Sequence, residues 1–244
     1  MQIVLPASTD IYLTGGKSHP SEVRLARFMI QHLVAGDTFM DIGAHFGYFT
    51  LLASVLVQDQ GKVYAFEASK STFQLLQKNV NIYSNIKAYH QAVSNNTEKL
   101  LFYQFPVLYS EYNSMDISQF EQENWFQKFK PEQIEVPATT INHLLLKENI
   151  TPKIIKIDVE GAEDKVMEGA QEALQQQNPY IVLEYLEPSR HNAAHRKAVS
   201  MLQQIGYQVN IINENGDLIL CNDIEQHLAK EKLDSDNIVL QKDT

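Results

Sequence analysis

The chain has 244 residues, of which 44% are hydrophobic and 20% are charged, and these values exclude a collagen, a coiled coil and a largely disordered chain. Its 20 basic and 30 acidic residues give a net charge of −10, which disfavours nucleic acid as a partner because a polyphosphate would be repelled. The length predicts a single domain over residues 1–244.

The cysteine content and the N-terminus indicate the surroundings of the protein. Cys221 is the one cysteine, so no intramolecular disulfide forms, and a reducing compartment with the cytoplasm as the default is expected. The N-terminus has no basic segment followed by a long apolar run, and no window approaches the about 18 apolar residues that a membrane-spanning helix needs. We therefore expect a soluble, unprocessed chain without a membrane partner.

An N-terminal helical segment at about residues 1–36 is predicted ahead of the first strand. From there, short runs rich in β-branched residues alternate with runs of helical periodicity, a pattern typical of a parallel sheet with helices on both faces. The predicted strands cover residues 38–42, 62–66, 86–93, 153–158 and 180–185, and the predicted helices cover residues 46–56, 71–82, 142–147, 162–176 and 195–205.

The alternation lapses at about residues 95–137, which we interpret as an insertion. Residues 99–105 favour an antiparallel strand, and the segment from 107 to 130 is acidic and aromatic without clear periodicity. Its aromatic residues are candidates for a lid over a binding site, a small satellite core or a contact in a homodimer. They are Tyr103, Phe105, Tyr109, Tyr112, Phe120, Trp125, Phe126 and Phe129.

The C-terminal part is predicted to contain an antiparallel hairpin. Asn215-Gly216 separates strand candidates at residues 208–213 and 217–221, and an Asn-Gly pair accepts the positive φ angles of a tight turn. Residues 237–240 are predicted as an edge strand. Together the elements predict an α/β fold with a mostly parallel seven-stranded sheet, helices on both faces and a C-terminal antiparallel hairpin.

The segment from Thr38 to Gly47 is the clearest local motif, a strand that runs into a glycine turn and then a helix. Open α/β sheets bind nucleotides at this place, outside the carboxyl ends of their strands. His45 occupies the position of the second glycine in the G-x-G-x-x-G motif, so a nicotinamide dinucleotide is disfavoured. The chain also lacks the G-x-x-x-x-G-K-[ST] motif of the P-loop enzymes.

Two carboxylates follow the first two strands and indicate the kind of ligand. Asp41 would oppose phosphate and favour a cation, and S-adenosylmethionine carries both an ammonium and a sulfonium. Glu67 stands where a carboxylate can bind both ribose hydroxyls of an adenosine. The pair therefore predicts an adenosyl ligand without phosphates. The alternative is that Asp41 caps the following helix and Glu67 is solvated at a strand end.

The segment from Ile154 to Glu163 is a second motif, a buried-type strand that ends in carboxylates and a glycine turn. Because strand ends collect at one edge of the sheet, Asp158 is expected beside the Asp41 turn, where it would hold the amino acid part of the ligand or accept a proton. Glu160 is the competing base. The alternative is that Asp158 caps the next helix while Glu160 and Glu163 favour its dipole.

These segments resemble the FkbM-type S-adenosylmethionine-dependent methyltransferases, within the Rossmann-like class I methyltransferases. The resemblance spans about residues 22–186 and is carried by residues 41–47, 63–67, 79–81, 91–94, 156–163 and 168–170. The run Lys-Ile-Asp-Val-Glu-Gly at 156–161 is the most specific of them. This chain has His45 where the family usually has Asn, which leaves the role of that position open.

The resemblance implies S-adenosyl-L-methionine as cofactor, S-adenosyl-L-homocysteine as product, and a set of binding residues. Asp41, Gly43, Ala44, His45 and Gly47 would surround the methionine part, Glu67 would bind the ribose, and Gln91, Ala92 and Val93 would flank the adenine. Ala68 is a further cofactor-binding candidate. Asp158 and Glu160 would lie at the mouth of the substrate site. The family is known for O-methylation of hydroxyl groups on natural-product and sugar-like acceptors, so a small-molecule acceptor is expected.

Methyl transfer from a sulfonium needs orientation, exclusion of water and a proton acceptor from the protein. A hydroxyl nucleophile loses its proton near the transition state, so a carboxylate or an imidazole within reach is the natural base. Asp158 or Glu160 ranks first, then His45, then His191. N-methylation remains an alternative, as do a nicotinamide oxidoreductase and a non-catalytic domain of the same architecture.

Other polar residues have weaker functional interpretations. His191 and His195 have the spacing of a zinc pair but lack the Glu of H-E-x-x-H, so no metal is expected. Glu184, like Tyr185 and Glu187 beside it, is a candidate for lining an acceptor pocket, with solvation at a strand end as the alternative. Glu22 either folds over the cofactor or faces water.

Overall fold

In a computed structural model, which describes residues 1–5, 8–115, 117 and 125–242, the chain forms an eight-stranded sheet with helices on both faces. The strands in chain order are β1 (Thr38–Ile42), β2 (Lys62–Glu67), β3 (Ile86–His90), β4 (Ala92–Val93), β5 (Leu100–Gln104), β6 (Glu132–Val136), β7 (Ala138–Thr139), β8 (Ile154–Ile157), β9 (Tyr180–Leu186), β10 (Tyr207–Ile212), β11 (Leu218–Leu220) and β12 (Ser235–Lys242). The α-helices are α1 (Thr9–Thr14), α2 (Pro20–His32), α3 (Tyr48–Val57), α4 (Lys70–Val80), α5 (Glu163–Glu168), α6 (Gln171–Gln176), α7 (Ala193–Gln204) and α8 (Ile224–Glu231).

The strand order of the sheet determines where a ligand site can form. The order is β11-β10-β12-β9-β8-β1-β2-β3, in which β9, β8, β1, β2 and β3 run parallel. Strand β12 is antiparallel to both β9 and β10, and β11 is antiparallel to β10. The chain moves outward from β1 to β3 and later returns to the other side of β1 as β8. The topological switch point therefore lies between β1 and β8, where such sheets open a crevice.

The core lies on both faces of the parallel strands. All four residues of β8 are buried, as expected for a strand that helices cover on both sides. On one face Ile155 and Ile157 pack in a cluster that includes Leu202 of α7, and on the other Ile154 packs with Phe28 of α2. The parallel strands next to the switch point are therefore covered on both faces.

The described part of the predicted insertion, about residues 95–137, lies outside the eight-stranded sheet. Strand β5 pairs antiparallel with β6, as predicted for residues 99–105, whereas β6 was not predicted. Trp125 stacks on Tyr109 and Tyr112, with ring centroids 5.3 and 4.6 Å apart, and Phe105 and Phe126 are buried beside them. These contacts support the satellite-core alternative for the aromatic group, of which Phe120 lies outside the described residues.

The predicted α/β class is confirmed, but two details of the sheet prediction are wrong. The sheet has eight strands rather than seven, because β11 pairs with β10 as the outermost strand. Residues 237–240 were predicted as an edge strand, yet β12 lies inside the sheet between β9 and β10. Its polar start looks like a strand end in the sequence, but Asp236 is buried and paired with Arg24 at 2.7 Å.

Two predicted elements are interrupted by tertiary contacts. The helix predicted at 162–176 breaks into α5 and α6 around Gly169, where a Cβ atom would lie 2.2 Å from the Ser94 carbonyl oxygen. The strand predicted at 86–93 breaks at Gln91 into β3 and β4, and β4 pairs with β7 outside the main sheet.

Helix α8 was not predicted, and the helix at 142–147 is a π-helical turn, His143–Lys147. Within the described ranges, no helix has the length and apolar character to cross a membrane.

Candidate active site

A cavity of about 280 Å³ opens at the carboxyl ends of β1, β2 and β8. Its wall brings together most of the residues predicted to bind the cofactor or to act as the base. They are Gly43, Ala44, His45, Glu67, Ala68, Gln91, Ala92, Val93, Asp158 and Glu160. The structure does not bring Asp41, Gly47 or the base candidate His191 to this wall.

The glycine turn after β1 lets two strand ends meet. Gly43 has a φ of +79°, and a Cβ atom there would lie 1.8 Å from the carbonyl oxygen of Asp158. The N–H groups of Gly43 and Ala44 both donate to the carbonyl of Phe66, at 3.0 Å each. Because only glycine fits this contact, the turn can join the ends of β8 and β2 at the floor of the cavity.

Glu67 is fixed in the cavity wall at the end of β2. Its side chain is 6% exposed, and its two carboxylate oxygens accept the N–H groups of His45 and Ser69, both at 2.9 Å. Burial raises the pKa of Glu67 to about 7, although the two backbone donors act in the opposite direction. A carboxyl group held in this way presents a fixed hydrogen-bonding edge to a ligand.

Lys156 is a site residue that the sequence motifs did not single out. It is 5% exposed on β8, and its Nζ atom lies 3.1 Å from Asp158 Oδ2 and 3.6 Å from Asp41 Oδ1. Burial opposes its charge, but the two carboxylates raise the pKa of Lys156. Likewise burial opposes the charge of Asp158, but the Lys156 ammonium lowers the pKa of that carboxyl. Asp158 is therefore ionised at neutral pH.

The predicted role of Asp41 needs a correction. Its side chain is 1% exposed behind the cavity wall, where Thr50 Oγ1 donates to Oδ2 at 2.6 Å. Burial raises the pKa of Asp41, while Lys156 lowers it. The carboxylate that was expected to face a cationic ligand thus faces the protein's own ammonium. Asp41 supports the site through Lys156.

Gly47 also has a structural role rather than a place in the cavity wall. It precedes α3 with a φ of +90°, and a Cβ atom there would lie 2.7 Å from Leu76 Cδ1. Leu76 belongs to α4, so the missing side chain allows α3 and α4 to pack closely. The predicted direct contact of Gly47 with the cofactor is therefore not supported.

Three carboxyl groups meet at the mouth of the cavity. Oxygen atoms of Asp158, Glu160 and Glu184 lie within 4.8 Å of one another. Burial and the neighbouring carboxylates raise the pKa of Glu160 well above its usual range, and they raise that of Glu184 to about 7. Near neutral pH this carboxyl cluster thus contains an ionised Asp158 beside groups that hold protons. Glu184 comes from β9 and lines the cavity, so it lies at the sheet edge where the sequence analysis expected it.

The carboxyl cluster also has the spacing of a metal site. Within the described part of the chain, these three side chains form the group whose ligand atoms are close enough to share a divalent cation. His195 is not part of it, since its Nε2 atom lies 3.3 Å from Glu163 Oε2 in the interior. The expectation of a site without metal stays a prediction.

Glu163 holds the turn that carries Glu160, one member of the carboxyl cluster. Its Oε1 atom accepts the N–H groups of Val159 at 3.3 Å and Gly161 at 3.4 Å. Glu160 lies between them with a φ of +55°, and its carbonyl accepts the hydroxyl of Ser114 at 2.6 Å. The turn is therefore tied to both α5 and the insertion.

His45 lines the cavity as a neutral imidazole. Its ring stacks on Phe46 with the centroids 3.8 Å apart, and Nε2 lies 2.9 Å from Ser110 Oγ. Burial lowers the pKa of His45 to about 4, and the charge of Lys17 acts in the same direction. The imidazole can exchange a hydrogen bond with a ligand at neutral pH without carrying a charge.

The far end of the cavity is predominantly apolar. Ala92, Val93 and Phe102 line it together with Gln91, whose Nε2 donates to the carbonyl of Ala138 at 3.1 Å. The sequence motifs missed the residues that distant segments add to the wall, namely Met1, Ser8, Ile11 and Lys17 from the N-terminal segment and Ser110, Asn113 and Met115 from the insertion. Glu22 lines the cavity too and pairs with Lys17 at 2.8 Å. No local pattern marks these residues, because the fold alone brings them to the site.

The parallel sheet, the glycine turn after β1 and the carboxyl groups after β2 and β8 are features of the class I methyltransferase fold. Solved structures of this class share the fold. An O-methyltransferase from Bacillus cereus solved with SAH is 11% identical with a TM-score of 0.52, covering 98% of this chain and 88% of that one. A proposed rRNA methylase from Clostridium thermocellum is 10% identical with a TM-score of 0.54, covering 93% and 98%. Precorrin-6y C5,15-methyltransferase from Geobacter metallireducens is 14% identical with a TM-score of 0.50, covering 91% and 87%.

The chain belongs to the FkbM methyltransferase family. Residues 41–209, more than half of the chain, match the sequence model of the FkbM methyltransferase domain. The resemblance seen in the motifs is thereby confirmed, and the protein is an S-adenosylmethionine-dependent methyltransferase. A search of curated protein sequences gave no significant match.

Proposed function

We propose that this methyltransferase transfers a methyl group to a hydroxyl oxygen of a small-molecule acceptor. The observation that carries this proposal is the carboxyl cluster Asp158, Glu160 and Glu184 at the cavity mouth. A hydroxyl group must lose a proton as it attacks, and a carboxylate within hydrogen-bond reach can accept it. We place this reaction in the cytoplasm, on the basis of the single cysteine.

The cavity residues fit S-adenosylmethionine, which supplies a methyl group activated on a sulfonium. Glu67 would bind the ribose hydroxyls through its fixed carboxyl group, and Gln91, Ala92 and Val93 would flank the adenine at the apolar end. Gly43, Ala44 and His45 would hold the methionine part near Asp158. The protein would then orient the acceptor, exclude water and accept the proton at an oxygen of Asp158 or Glu160.

A second candidate is N-methylation of a weakly basic amine, which the ionised Asp158 supports because its oxygens can accept N–H hydrogen bonds. A neutral amine attacks without first losing a proton, so its methylation depends less on a base. The two candidates therefore differ in what happens when a carboxylate of the cluster is replaced by its amide.

The test is methyl transfer by the purified protein from labelled S-adenosylmethionine to a panel of alcohols, phenols and amines, with the products identified by NMR. We expect methyl ethers, and we expect Asp158→Asn or Glu160→Gln to lower kcat by about 100-fold, in the range of lost base catalysis. Glu172→Gln, an exposed position on α6, serves as the control and should leave kcat unchanged.

The pH profile distinguishes the two base candidates. If Glu160 is the base, kcat falls as pH decreases through its raised pKa, whereas an Asp158 base keeps kcat constant to much lower pH. Methylation of amines alone would contradict O-methylation. Binding of S-adenosylhomocysteine without transfer to any acceptor would favour a non-catalytic domain.

A further inference from the structure

The glycine turn after β1 uses its backbone donors within the protein. Gly43 and Ala44 both donate to the Phe66 carbonyl at 3.0 Å, and the N–H group of His45 donates to Glu67 at 2.9 Å. In the proposed orientation of S-adenosylmethionine, this turn lies beside the amino acid end, which carries one ammonium and one carboxylate. The carboxylate therefore needs a donor that these three N–H groups do not supply.

Two of the described side chains in the cavity wall are positively charged at neutral pH, Lys156 and Lys17. Lys156 lies 3.1 Å from Asp158 and 3.6 Å from Asp41, so two carboxyl groups compensate its charge. Lys17 pairs with Glu22 at 2.8 Å, and its side chain is 26% exposed. Because an ammonium group has three donors, Lys17 can keep this pair and still donate to the carboxylate of a ligand.

The charge of Lys17 acts on two groups at the amino acid end of the cavity. Burial lowers the pKa of His45 to about 4, and the Lys17 ammonium acts in the same direction. Burial opposes the charge of Asp158, whereas Lys156 and then Lys17 lower the pKa of that carboxyl. Lys17 is therefore close enough to the predicted methionine site to attract a carboxylate there.

Glu22 connects Lys17 to the rigid part of the fold. Lys17 lies in the loop between α1 and α2, and Glu22 lies in the first turn of α2. This helix is held in the core by Leu25, Phe28 and Met29, none of which is exposed. The ammonium group thus reaches the cavity from a fixed base.

Residues 8–19, here called the strap, contain α1 and reach the cavity through Ile11 and Lys17. Helix α1 has six residues and buries none of them, and Tyr12 and Leu13 are 67% and 72% exposed. The strap lies outside residues 41–209, the part that matches the family model. Because α1 contributes little apolar packing, the contacts at the cavity determine how stably the strap is held.

We infer that Lys17 binds the α-carboxylate of S-adenosylmethionine and that this contact holds the strap over the amino acid end of the cofactor. The inference rests on the proposed orientation of the cofactor in the cavity, but on neither the acceptor nor the atom that is methylated. The strap then responds to the part of the cofactor that distinguishes it from other adenosine derivatives.

Three ligands that share the adenosine part test the contact. S-adenosylhomocysteine has the complete amino acid end, its decarboxylated analogue keeps the ammonium but lacks the carboxylate, and methylthioadenosine lacks both. Calorimetry is done at about 0.15 M salt, so that distant charges are screened. We expect S-adenosylhomocysteine to bind about tenfold or more tightly than its decarboxylated analogue, the effect of one charged hydrogen bond.

Lys17→Met should reduce this preference to about threefold or less and leave the affinity for methylthioadenosine unchanged, whereas Lys17→Arg should retain most of the preference. Lys165→Met is the matched control, because Lys165 pairs with Glu168 at 3.4 Å and does not line the cavity. It should change none of the three affinities. An undiminished preference in Lys17→Met would overturn the inference, as would an equal loss of affinity for all three ligands.

Amide hydrogen exchange at saturating ligand measures whether the strap is held. In the unmodified protein, residues 9–16 should exchange more slowly with S-adenosylhomocysteine than with the decarboxylated analogue. In Lys17→Met the two ligands should protect these residues equally. Equal protection by both ligands in the unmodified protein would show that the carboxylate does not hold the strap.

Glu67→Gln separates this inference from the orientation of the cofactor on which it rests. All three ligands keep the ribose, so this variant should weaken the binding of each. A loss in Glu67→Gln without any change in Lys17→Met would refute the role of Lys17 and retain the orientation. Unchanged affinities in both variants would refute both. Failure of O-methylation in the transfer assay would leave the role of Lys17 unaffected, because these measurements use no acceptor.

Discussion

The ammonium group of Lys156 lies between two carboxyl groups. Asp41 is buried behind the cavity wall, and Asp158 lines the cavity. Asp41 lies 3.6 Å from Nζ and Asp158 lies 3.1 Å from it. A buried charge without its partner is costly, whereas the same pair on the surface contributes little. Replacing this one side chain should therefore affect stability as well as binding.

We expect Lys156→Met to lower the free energy of unfolding by about 3 kcal/mol at neutral pH, since it leaves Asp41 buried without a cation. The loss should shrink as pH falls, because burial already raises the pKa of Asp41 and a protonated carboxyl needs no partner. Urea unfolding at several pH values measures both effects. Lys165→Met, at a half-exposed lysine 3.4 Å from Glu168, should cost less than about 1 kcal/mol.

Alanine substitutions at Gly43 and Gly36 distinguish the cost of backbone strain from the cost of a steric clash. Both have positive φ angles, +79° and +94°, but a Cβ atom would lie 1.8 Å from the Asp158 carbonyl at Gly43 and would meet nothing within 4 Å at Gly36. Gly36→Ala should cost about 1 kcal/mol for the φ angle, and Gly43→Ala at least about 3 kcal/mol. Calorimetry should also show weaker S-adenosylhomocysteine binding for Gly43→Ala alone. Equal losses in the two variants would mean that the β8 contact relaxes without cost.

At the scale of elements, the turn between β8 and α5 is held in place by Glu163, the first residue of α5. Glu163 is 1% exposed and accepts two N–H groups of the turn, while His195 of α7 lies 3.3 Å from its other oxygen. The position of Glu160, and hence of the carboxyl cluster, depends on this support. Because Glu163 is not among the residues that line the cavity, we expect it to influence the reaction only through the turn.

Glu163→Ala removes the acceptor for the N–H groups of Val159 and Gly161, so we expect kcat to fall at least about tenfold through misplacement of the carboxyl cluster. S-adenosylhomocysteine affinity should change much less, since Gly43 and Glu67 are held by other contacts. Glu163→Gln keeps an oxygen acceptor and should restore most of kcat. If the glutamine variant were as impaired as the alanine variant, the charge of Glu163 rather than its hydrogen bonds would be responsible.

The strands that carry the site residues were predicted from the sequence more accurately than β11 and β12 on the other side of the sheet. Glu67 and Asp158 were correctly predicted to lie at the same edge of the sheet. The carboxyl ends of parallel strands meet at one edge, so the sequence position of each strand end indicates which residues lie there. The pairing of Asp41 with Lys156 could not be predicted from the motif around Asp41, because Lys156 lies on a neighbouring strand more than 100 residues further along the chain. The interior position of β12 was missed because the charge of Asp236 at its start is paired with Arg24, which lies 212 residues away in the sequence.

Over the whole molecule, buried titratable groups make stability depend on pH. Burial raises the pKa of Glu67, Glu163 and Glu184 to about 7, and lowers the pKa of His45 and His195 to about 4. From pH 4.5 to 7 the folded state keeps carboxyl protons that the unfolded state releases, so this contribution to stability is lost as pH rises. The histidines act oppositely, but only below their unfolded pKa of 6.5.

We therefore expect the free energy of unfolding to fall between pH 6 and pH 8, where the carboxyl groups dominate. Urea unfolding at constant ionic strength measures the slope. Glu184→Gln should flatten it, because the amide does not titrate, while Glu172→Gln should leave it unchanged. Stability that increases with pH over this range would show that the buried carboxyl groups are ionised in the folded protein.

Because β12 lies inside the sheet, the sheet can be completed only after the C-terminal part of the chain has been synthesised. Every described residue that lines the cavity has been made by the time Glu184 is added, whereas β12 begins only at Ser235. Strands β10 and β11 pair with each other but join the sheet only through β12. On the ribosome, the residues of the candidate cofactor cavity are therefore all synthesised about fifty residues before the strand that joins β10 and β11 to the sheet.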